Sequence, residues 1–315
     1  MSACLVPARV VSAGPGPARA NRSSRAGNLA AVTSVGEVVA FLERRYPPAW
    51  AESWDRVGLV LGEPDAPVAT IALVVDCVPE TVEEAVDAGA DLIVAHHPLL
   101  LRGVASVAPT TYKGRLVHRL IKADIALFTV HTNADVAAPG VSDALAIRLG
   151  LSSLRPLVPA SDDDPRRGTG RIGELPAALS LAEFAARCAR VLPPTAWGVR
   201  AAGDPDREVR TVAVCGGSGD PFLADAVRAG VDAYLTADLR HHPVSEHLAD
   251  GGPALLDAAH WATERPWLDA AAAELSAGLG VRTVVSDLDT DPWTVHVPST
   301  GKPADQWLEA KESRP

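Results

Sequence analysis

The residues best suited to chemistry in this chain are histidines and acids that recur in pairs. His96 and His97 directly follow an apolar run, Asp91 to Ala95. His131 and Asp135 stand four apart, as do His260 and Glu264. On a helix that spacing puts both side chains on one face, and in a loop it still lets them converge. If the backbone stays extended past Ala95, His96 and His97 point to opposite sides of it, so one segment can serve two ions. Carboxylates can bridge two cations about 3.5–4 Å apart while imidazoles complete each sphere. Nitrogen and oxygen donors without thiolate suit Zn, Mn, Fe, Co or Ni, with Mg less natural. Any one pair alone equally suits a surface histidine, or a helix cap beside a solvated imidazole.

The elements that must position these residues read as alternating strands and helices. Ser34 with Glu37 forms a capping box before the apolar face Val35, Val38, Val39 and Leu42. Strand-like Thr70 to Val75 precedes a helix from Pro79 to Gly89, then the strand ending at Ala95. Tyr112 to Ala123 reads as a helix, Ile125 to Val130 as a strand, and His131 to Asp135 as a polar strand-exit loop. A helix follows over Pro139 to Leu149, and another over Leu181 to Leu192. Weaker strands are expected at Arg171 to Leu175 and Trp197 to Ala201, and a stronger one at Val209 to Cys215. This alternation predicts α/β architecture with mostly parallel sheets covered on both faces.

An internal repeat ties the pairs together. Thr70-Ile-Ala-Leu-Val74 matches Thr211-Val-Ala-Val-Cys215, and Ala85-Val-Asp-Ala-Gly-Ala-Asp91 matches Ala226-Val-Arg-Ala-Gly-Val-Asp232. Each half then carries His-His-Pro, at 96–98 and at 241–243, and a His-x-x-x-acid, at 131–135 and 260–264. The shared order predicts two related halves: a first lobe at 34–155 and a second at 156–298. Residues 1–33 and 299–315 are expected to be tails, the first disordered. The acidic, basic, then Gly-rich stretch Ser161 to Gly170 reads as a linker.

Other candidates stay open. His241 and His242 either transfer protons in the site or cap the helix beginning near Pro243. Gly216-Gly217-Ser218-Gly219 is expected at a strand-to-helix turn, either a plain turn or an anion cradle. Trp54-Asp55 reads as a structural loop with a lesser chance of lining a pocket.

Composition narrows the function. The 315 residues are 47% hydrophobic and carry a formal charge of −10. That balance argues against nucleic-acid or anionic-membrane partners, and no apolar run is long enough to span a bilayer. The four cysteines, Cys4, Cys77, Cys188 and Cys215, form no Cys-x-x-Cys pair. Buried thiols in a reduced, cytoplasmic protein are expected.

Five segments resemble the dinuclear-metal family named for NGG-interacting factor three, the GTP cyclohydrolase 1 type 2 homologues. They are Trp54-Asp55-x-Val57-Gly58-Leu59, Ala95-His96-His97-Pro98, His131-Thr132-Asn133-Ala134-Asp135, Gly216-Gly217-Ser218-Gly219 and His260-Trp261-Ala262-Thr263-Glu264. The resemblance implies two interlinked lobes with a metal cleft between them. It implies His96, His97, Asp135, His260 and Glu264 as ligands of two divalent ions, with Asp135 and Glu264 bridging and His131 held behind them. It further implies a homohexameric ring and a small-molecule substrate. The expected activity is hydrolysis of a nucleotide or related heterocycle, in its specific form attack on C8 of guanine with loss of formate. The alternative is a non-enzymatic metal-binding, metal-delivery or regulatory scaffold. Trp261 and Ala237 stand where the family has Tyr and Gly, which bears on pocket shape.

Overall fold

The computed structural model describes residues 33–160 and 164–297. The expected tails therefore lie outside the described residues, Thr33 apart, as do 161–163 of the expected linker. In chain order the first half gives α1 (Val35–Arg45), β1 (Gly58–Leu61), β2 (Thr70–Val74), α2 (Pro79–Asp87) and β3 (Leu92–Ala95). It continues with α3 (Tyr112–Ala123), β4 (Ala126–Thr129), α4 (Thr132–Asp135) and α5 (Val141–Arg148). The second half gives β5 (Ser152–Pro159), β6 (Gly168–Ser180), α6 (Leu181–Val191), β7 (Val199–Ala202), β8 (Glu208–Ser218) and α7 (Leu223–Ala229). It closes with β9 (Ala233–Ala237), α8 (His241–Ala249), β10 (Ala254–Ala258), α9 (His260–Leu279) and β11 (Arg282–Val285). The predicted capping box opens α1: Glu37 N donates to Ser34 Oγ, and Ser34 N donates to the Glu37 carboxylate.

Two sheets result. The first has the order β1-β4-β3-β2-β11, parallel except for β1 at its edge. Strands β2, β3 and β4 are buried at every residue, as strands covered on both faces must be. One face packs on α1 and α9 through Val38, Leu42, Leu268 and Leu275. The other packs on α2 and α3 through Val82, Leu116 and Leu120. The second sheet has the order β5-β6-β8-β9-β10-β7. Its centre, β8-β9-β10, is parallel, whereas β5-β6, β6-β8 and β10-β7 are antiparallel. The expectation of mostly parallel strands thus holds in the first sheet and at the centre of the second. The antiparallel outer strands are β5, which the sequence reading leaves unassigned, β6, which it takes for linker end and weak strand, and β7, which it takes for a weak strand.

Two further differences bear on the site. The His131 to Asp135 segment is a short helix, α4, instead of a loop. Gly216 and Gly217 extend β8 instead of forming a turn. Helix α9 contacts β2 and β11 of the first sheet and β8 and β9 of the second, so it is the element common to both.

A buried arginine fixes the entry to α5. Arg171, on β6, is 1% exposed. Its Nε donates to Asp143 Oδ1 at 2.8 Å, and its terminal nitrogens donate to the carbonyls of Gly168, Gly170 and Ala137. Removing it leaves a carboxylate and three carbonyls without their donor. Arg171→Met is expected to lower unfolding stability by about 3–5 kcal/mol, read as a shifted denaturant midpoint, because Asp143, its side chain only 13% exposed, loses its cation and keeps only the Gly140 amide.

Candidate metal centre

Four imidazoles meet at the carboxyl ends of the parallel strands, where open α/β sheets place their sites. His96 and His97 follow β3, His131 follows β4, and His260 opens α9 just beyond β10. The parallel register sets Ala95 beside Thr129, so the two strand ends of the first sheet deliver their histidines together.

Each ring is anchored through Nδ1. His96 Nδ1 lies 2.8 Å from the Val130 carbonyl, and His97 Nδ1 lies 2.8 Å from Asp76 Oδ1. His131 Nδ1 lies 2.9 Å from Asp55 Oδ1, and His260 Nδ1 lies 2.7 Å from Asp238 Oδ2. An acceptor at Nδ1 places the proton there and leaves Nε2 as a lone-pair donor. The Nε2 atoms turn toward Glu264, one helical turn after His260. His97 Nε2 is 3.0 Å from Glu264 Oε2, and His260 Nε2 is 3.1 Å from Glu264 Oε1. His96 Nε2 is 3.4 Å from Glu264 Oε1 and 3.8 Å from Asp135 Oδ1.

All five expected ligands, His96, His97, Asp135, His260 and Glu264, thus come together. His131 joins them: potential ligand atoms of His96, His97 and His131 lie within 4.8 Å of one another, as do those of His97, His260 and Glu264. His241 and His242 do not join. They sit exposed on the first turn of α8, ring against ring with a centroid separation of 5.1 Å. The helix begins at His241 itself, which carries both rings outward.

The supporting acids are what sequence reading missed. Asp55 accepts from His131 and also from the Thr132 amide and hydroxyl, so the Trp54-Asp55 loop belongs to the site. Trp54 packs edge-on against His131 at 5.9 Å between ring centroids. Asp76 and Asp238 each stand just beyond a buried strand, and an acid in that position is the signal that finds them. Asp238 adopts φ +59°, a left-handed conformation that aspartate tolerates better than most residues. The Gly216-Gly217 segment is no anion cradle, because its amides are already used. Gly216 N donates to Ser142 Oγ and Gly217 N to Thr263 Oγ1. Glycine is required at 217 for space: at φ +66°, a Cβ would lie 2.4 Å from Glu264 Oε1.

The electrostatics match a centre made for cations. Burial would raise the Glu264 pKa, but His260, His97 and His96 outweigh it and hold the carboxyl well below its ordinary range. Burial would lower His97, yet the Glu264 charge and the Asp76 hydrogen bond raise it to about 10. The Glu264 charge, working against burial and aided by Asp238, raises His260 to about 11. Burial pushes Asp135 up to about 7, with His131 opposing and Glu264 adding to the rise. His96 Nε2 and Asp135 Oδ1 are buried without any hydrogen-bond partner. Glu264 Oε2 likewise lacks one, its contact with His97 falling outside hydrogen-bond geometry. Orphaned donor atoms of imidazole and carboxylate type, gathered in one cluster, fit divalent transition-metal ions. The thiols play no part: Cys77, Cys188 and Cys215 are free and buried, which pushes each up to about 12.

An α/β fold with such a His/carboxylate cluster defines a class of candidate metalloproteins. Residues 33–292 match the family described as Duf34/NIF3 (NGG1p interacting factor 3), and the chain belongs to that family. Among its relatives, the GTP cyclohydrolase 1 type 2 homolog of Streptomyces coelicolor is 58% identical over 271 residues, covering 84% of this chain and 95% of that protein. The Mycobacterium tuberculosis protein of the same name is 38% identical, covering 83% and 97%. Staphylococcus aureus hypothetical protein SA1388 superposes with a TM-score of 0.77 at 26% identity, over 84% of this chain and 99% of that one. A Bacillus cereus protein related to NIF3 gives the same TM-score at 24% identity, over 84% and 100%, and shares the fold.

The anchoring acids are testable apart from the ligands. Asp76→Asn and Asp238→Asn are expected to weaken divalent-metal affinity about 10–100-fold in chelator competition while leaving every candidate ligand in place. The protonated imidazoles predict a pH dependence. His97 and His260 rise from 6.5 to about 10 and about 11 in the folded protein. Their contribution to stability is therefore full below about pH 6.5 and is lost as pH climbs through those values. Metal-free protein is expected to lose denaturant resistance steadily from pH 6.5 to 9.5. Excess metal is expected to reverse that slope, because each ion displaces imidazole protons.

Proposed function

We propose that this protein is a dinuclear metal-dependent hydrolase acting on a nucleotide or related heterocycle. The observation that carries the reading is the convergence of His96 Nε2, Asp135 Oδ1 and Glu264 Oε2, buried and unpartnered, beside a cavity of about 500 Å³ lined by His97 and His260. On this reading His96, His97, Asp135, His260 and Glu264 hold two divalent ions, and His131 completes the set. Bound there, the ions supply Lewis acidity, polarising the substrate and acidifying water. The chain itself does the positioning. Asp76, Asp238 and Asp55 fix ring orientation, and the cavity admits substrate to the His97 and His260 face. The relatives' name, GTP cyclohydrolase 1 type 2 homolog, supports a purine nucleotide as the first substrate to try.

The remaining attributes belong to the same proposal. We take the protein to be a cytoplasmic homo-oligomer, a hexameric ring by family resemblance, without nucleic-acid or membrane partners. The charge of −10 supports only the lack of anionic nucleic-acid and membrane partners. A metal-delivery or scaffold role uses the same ligands, and the cavity opening onto the centre favours catalysis over it.

Elemental analysis of protein purified without chelator or nickel resin is expected to find about two transition-metal ions per chain, and Glu264→Gln is expected to retain few of either. Reconstituted protein is then expected to turn over at least one member of a nucleotide and heterocycle panel, with Glu264→Gln inert. Persistent absence of metal after supplementation would sink the reading, whereas two bound ions with no turnover would transfer support to the scaffold.

A further inference from the structure

The cavity beside the centre has walls that hydrolysis leaves unused. It runs from His97 and His260 out to Trp197 and Trp293. These two indoles lie with ring centroids 5.6 Å apart and planes 33° from parallel. Trp293 is 59% exposed, a large flat apolar surface held at a cavity wall instead of in the core. Arg200 sits over the Trp197 ring, with Cζ 4.2 Å from its centroid. Its charge is compensated by the buried Asp257 carboxylate, to which it is paired.

The charge of the lining sets the kind of ligand. Four aspartates and one arginine line this cavity together with the two histidines of the centre, His97 and His260. Asp76 and Asp238 orient histidines, and Asp257 pairs with Arg200. The fourth, Asp291, is 7% exposed and accepts from the Trp293 amide through Oδ1 at 3.1 Å. At the Trp293 end of the cavity, away from the histidines, Asp291 disfavours a polyphosphate, and Arg200, paired with Asp257, has no uncompensated charge to offer one. Carboxylates accept readily from the N–H groups of a base edge. Indole faces stack any ring, because every heterocycle presents a π-face.

We propose that this cavity is the subsite for an uncharged planar heterocycle, stacked on the exposed indole of Trp293, which Trp197 backs, with an N–H edge toward Asp291 and any phosphate left outside. The inference rests on the hydrolase reading for its choice of substrate class and deepens it: the base, not the triphosphate, is what the protein recognises.

The test is calorimetric titration of the full chain, with guanosine and GTP as probes and metal content measured on the same sample. Guanosine is expected to bind saturably and within about threefold of GTP. Trp293→Ala is expected to weaken guanosine about tenfold, the usual size of base stacking, and Trp293→Phe to recover most of that loss. Asp291→Asn and methylation of guanosine at N1 are each expected to weaken binding severalfold. Combined, they should weaken it no more than either does alone, because both remove one hydrogen bond. GTP binding tenfold or more tighter than guanosine, a Trp293→Ala affinity equal to the parent, or no guanosine binding would each overturn the proposal. A sample that takes up no metal instead counts against the hydrolase reading. Its guanosine titration still decides the subsite, since neither indole nor Asp291 depends on an ion.

Discussion

An ionised carboxylate taken out of water has to be surrounded by cations or donors, or it takes up a proton. Glu264, at 3% exposure, is the least exposed acidic residue among the described residues and faces that demand. Three imidazole Nε2 atoms answer it, those of His97, His260 and His96. Each is held to the task from behind, by Asp76, Asp238 and the Val130 carbonyl. The centre is thus a series of shells, each oriented by the next. A ring anchored through Nδ1 has one orientation, which is what a ligand set needs before any ion arrives.

Bringing Glu264 to that point constrains the fold. The histidines of the first sheet come from β3 and β4, while His260 and Glu264 follow β10 of the second. Helix α9 resolves the separation by contacting strands of both sheets. It buries Trp267 and Leu268 in the core of the first sheet, and Thr263, one residue before Glu264, holds the Gly217 amide of β8. The chain then returns through β11 to pair with β2, so the last element of the second half completes the first sheet. Trp267 also lies 5.4 Å from the His96 ring and donates from its indole nitrogen to Tyr46, coupling centre to core.

Much of this was legible in the sequence because strand ends in parallel sheets are local features. The apolar run into His96-His97, the helix Tyr112–Ala123 and the two His-x-x-x-acid pairs appear where periodicity and spacing put them. What stayed hidden depends on chain segments far apart. Asp55 is 76 residues from the His131 it anchors, and nothing in the Trp54-Asp55 loop announces a partner at that distance. The start of β6 looked like linker and its middle like a weak strand because Gly168, Gly170 and Gly173 depress strand propensity. The close approach of β6 to neighbouring backbone explains those glycines, as at Gly168, where a Cβ would lie 2.2 Å from the Val158 carbonyl. The second histidine pair shows the converse limit. His241-His242 imitates His96-His97 in sequence, but three intervening residues after its strand, Asp238 to Arg240, carry it onto α8 and away from the centre.

The two acids of the centre are not equivalent, and the difference has chemical content. Glu264 is already charged, because imidazolium ions surround it. Asp135 is raised to about 7 because burial outweighs what His131 returns to it. Near neutral pH it is therefore close to balance between its two forms, and its Oδ1 has no hydrogen-bond partner. An imidazole offers one nitrogen to a cation, whereas a carboxylate offers two oxygens. His97 is common to both candidate groups of ligand atoms, yet it can serve only one ion. If two ions were bound as proposed, a residue shared between them would have to be an acid, and Glu264, whose two oxygens face different histidines, would suit that place. Asp135 is the group whose charge depends on what arrives, which makes it the more responsive of the two to the identity and charge of a bound cation.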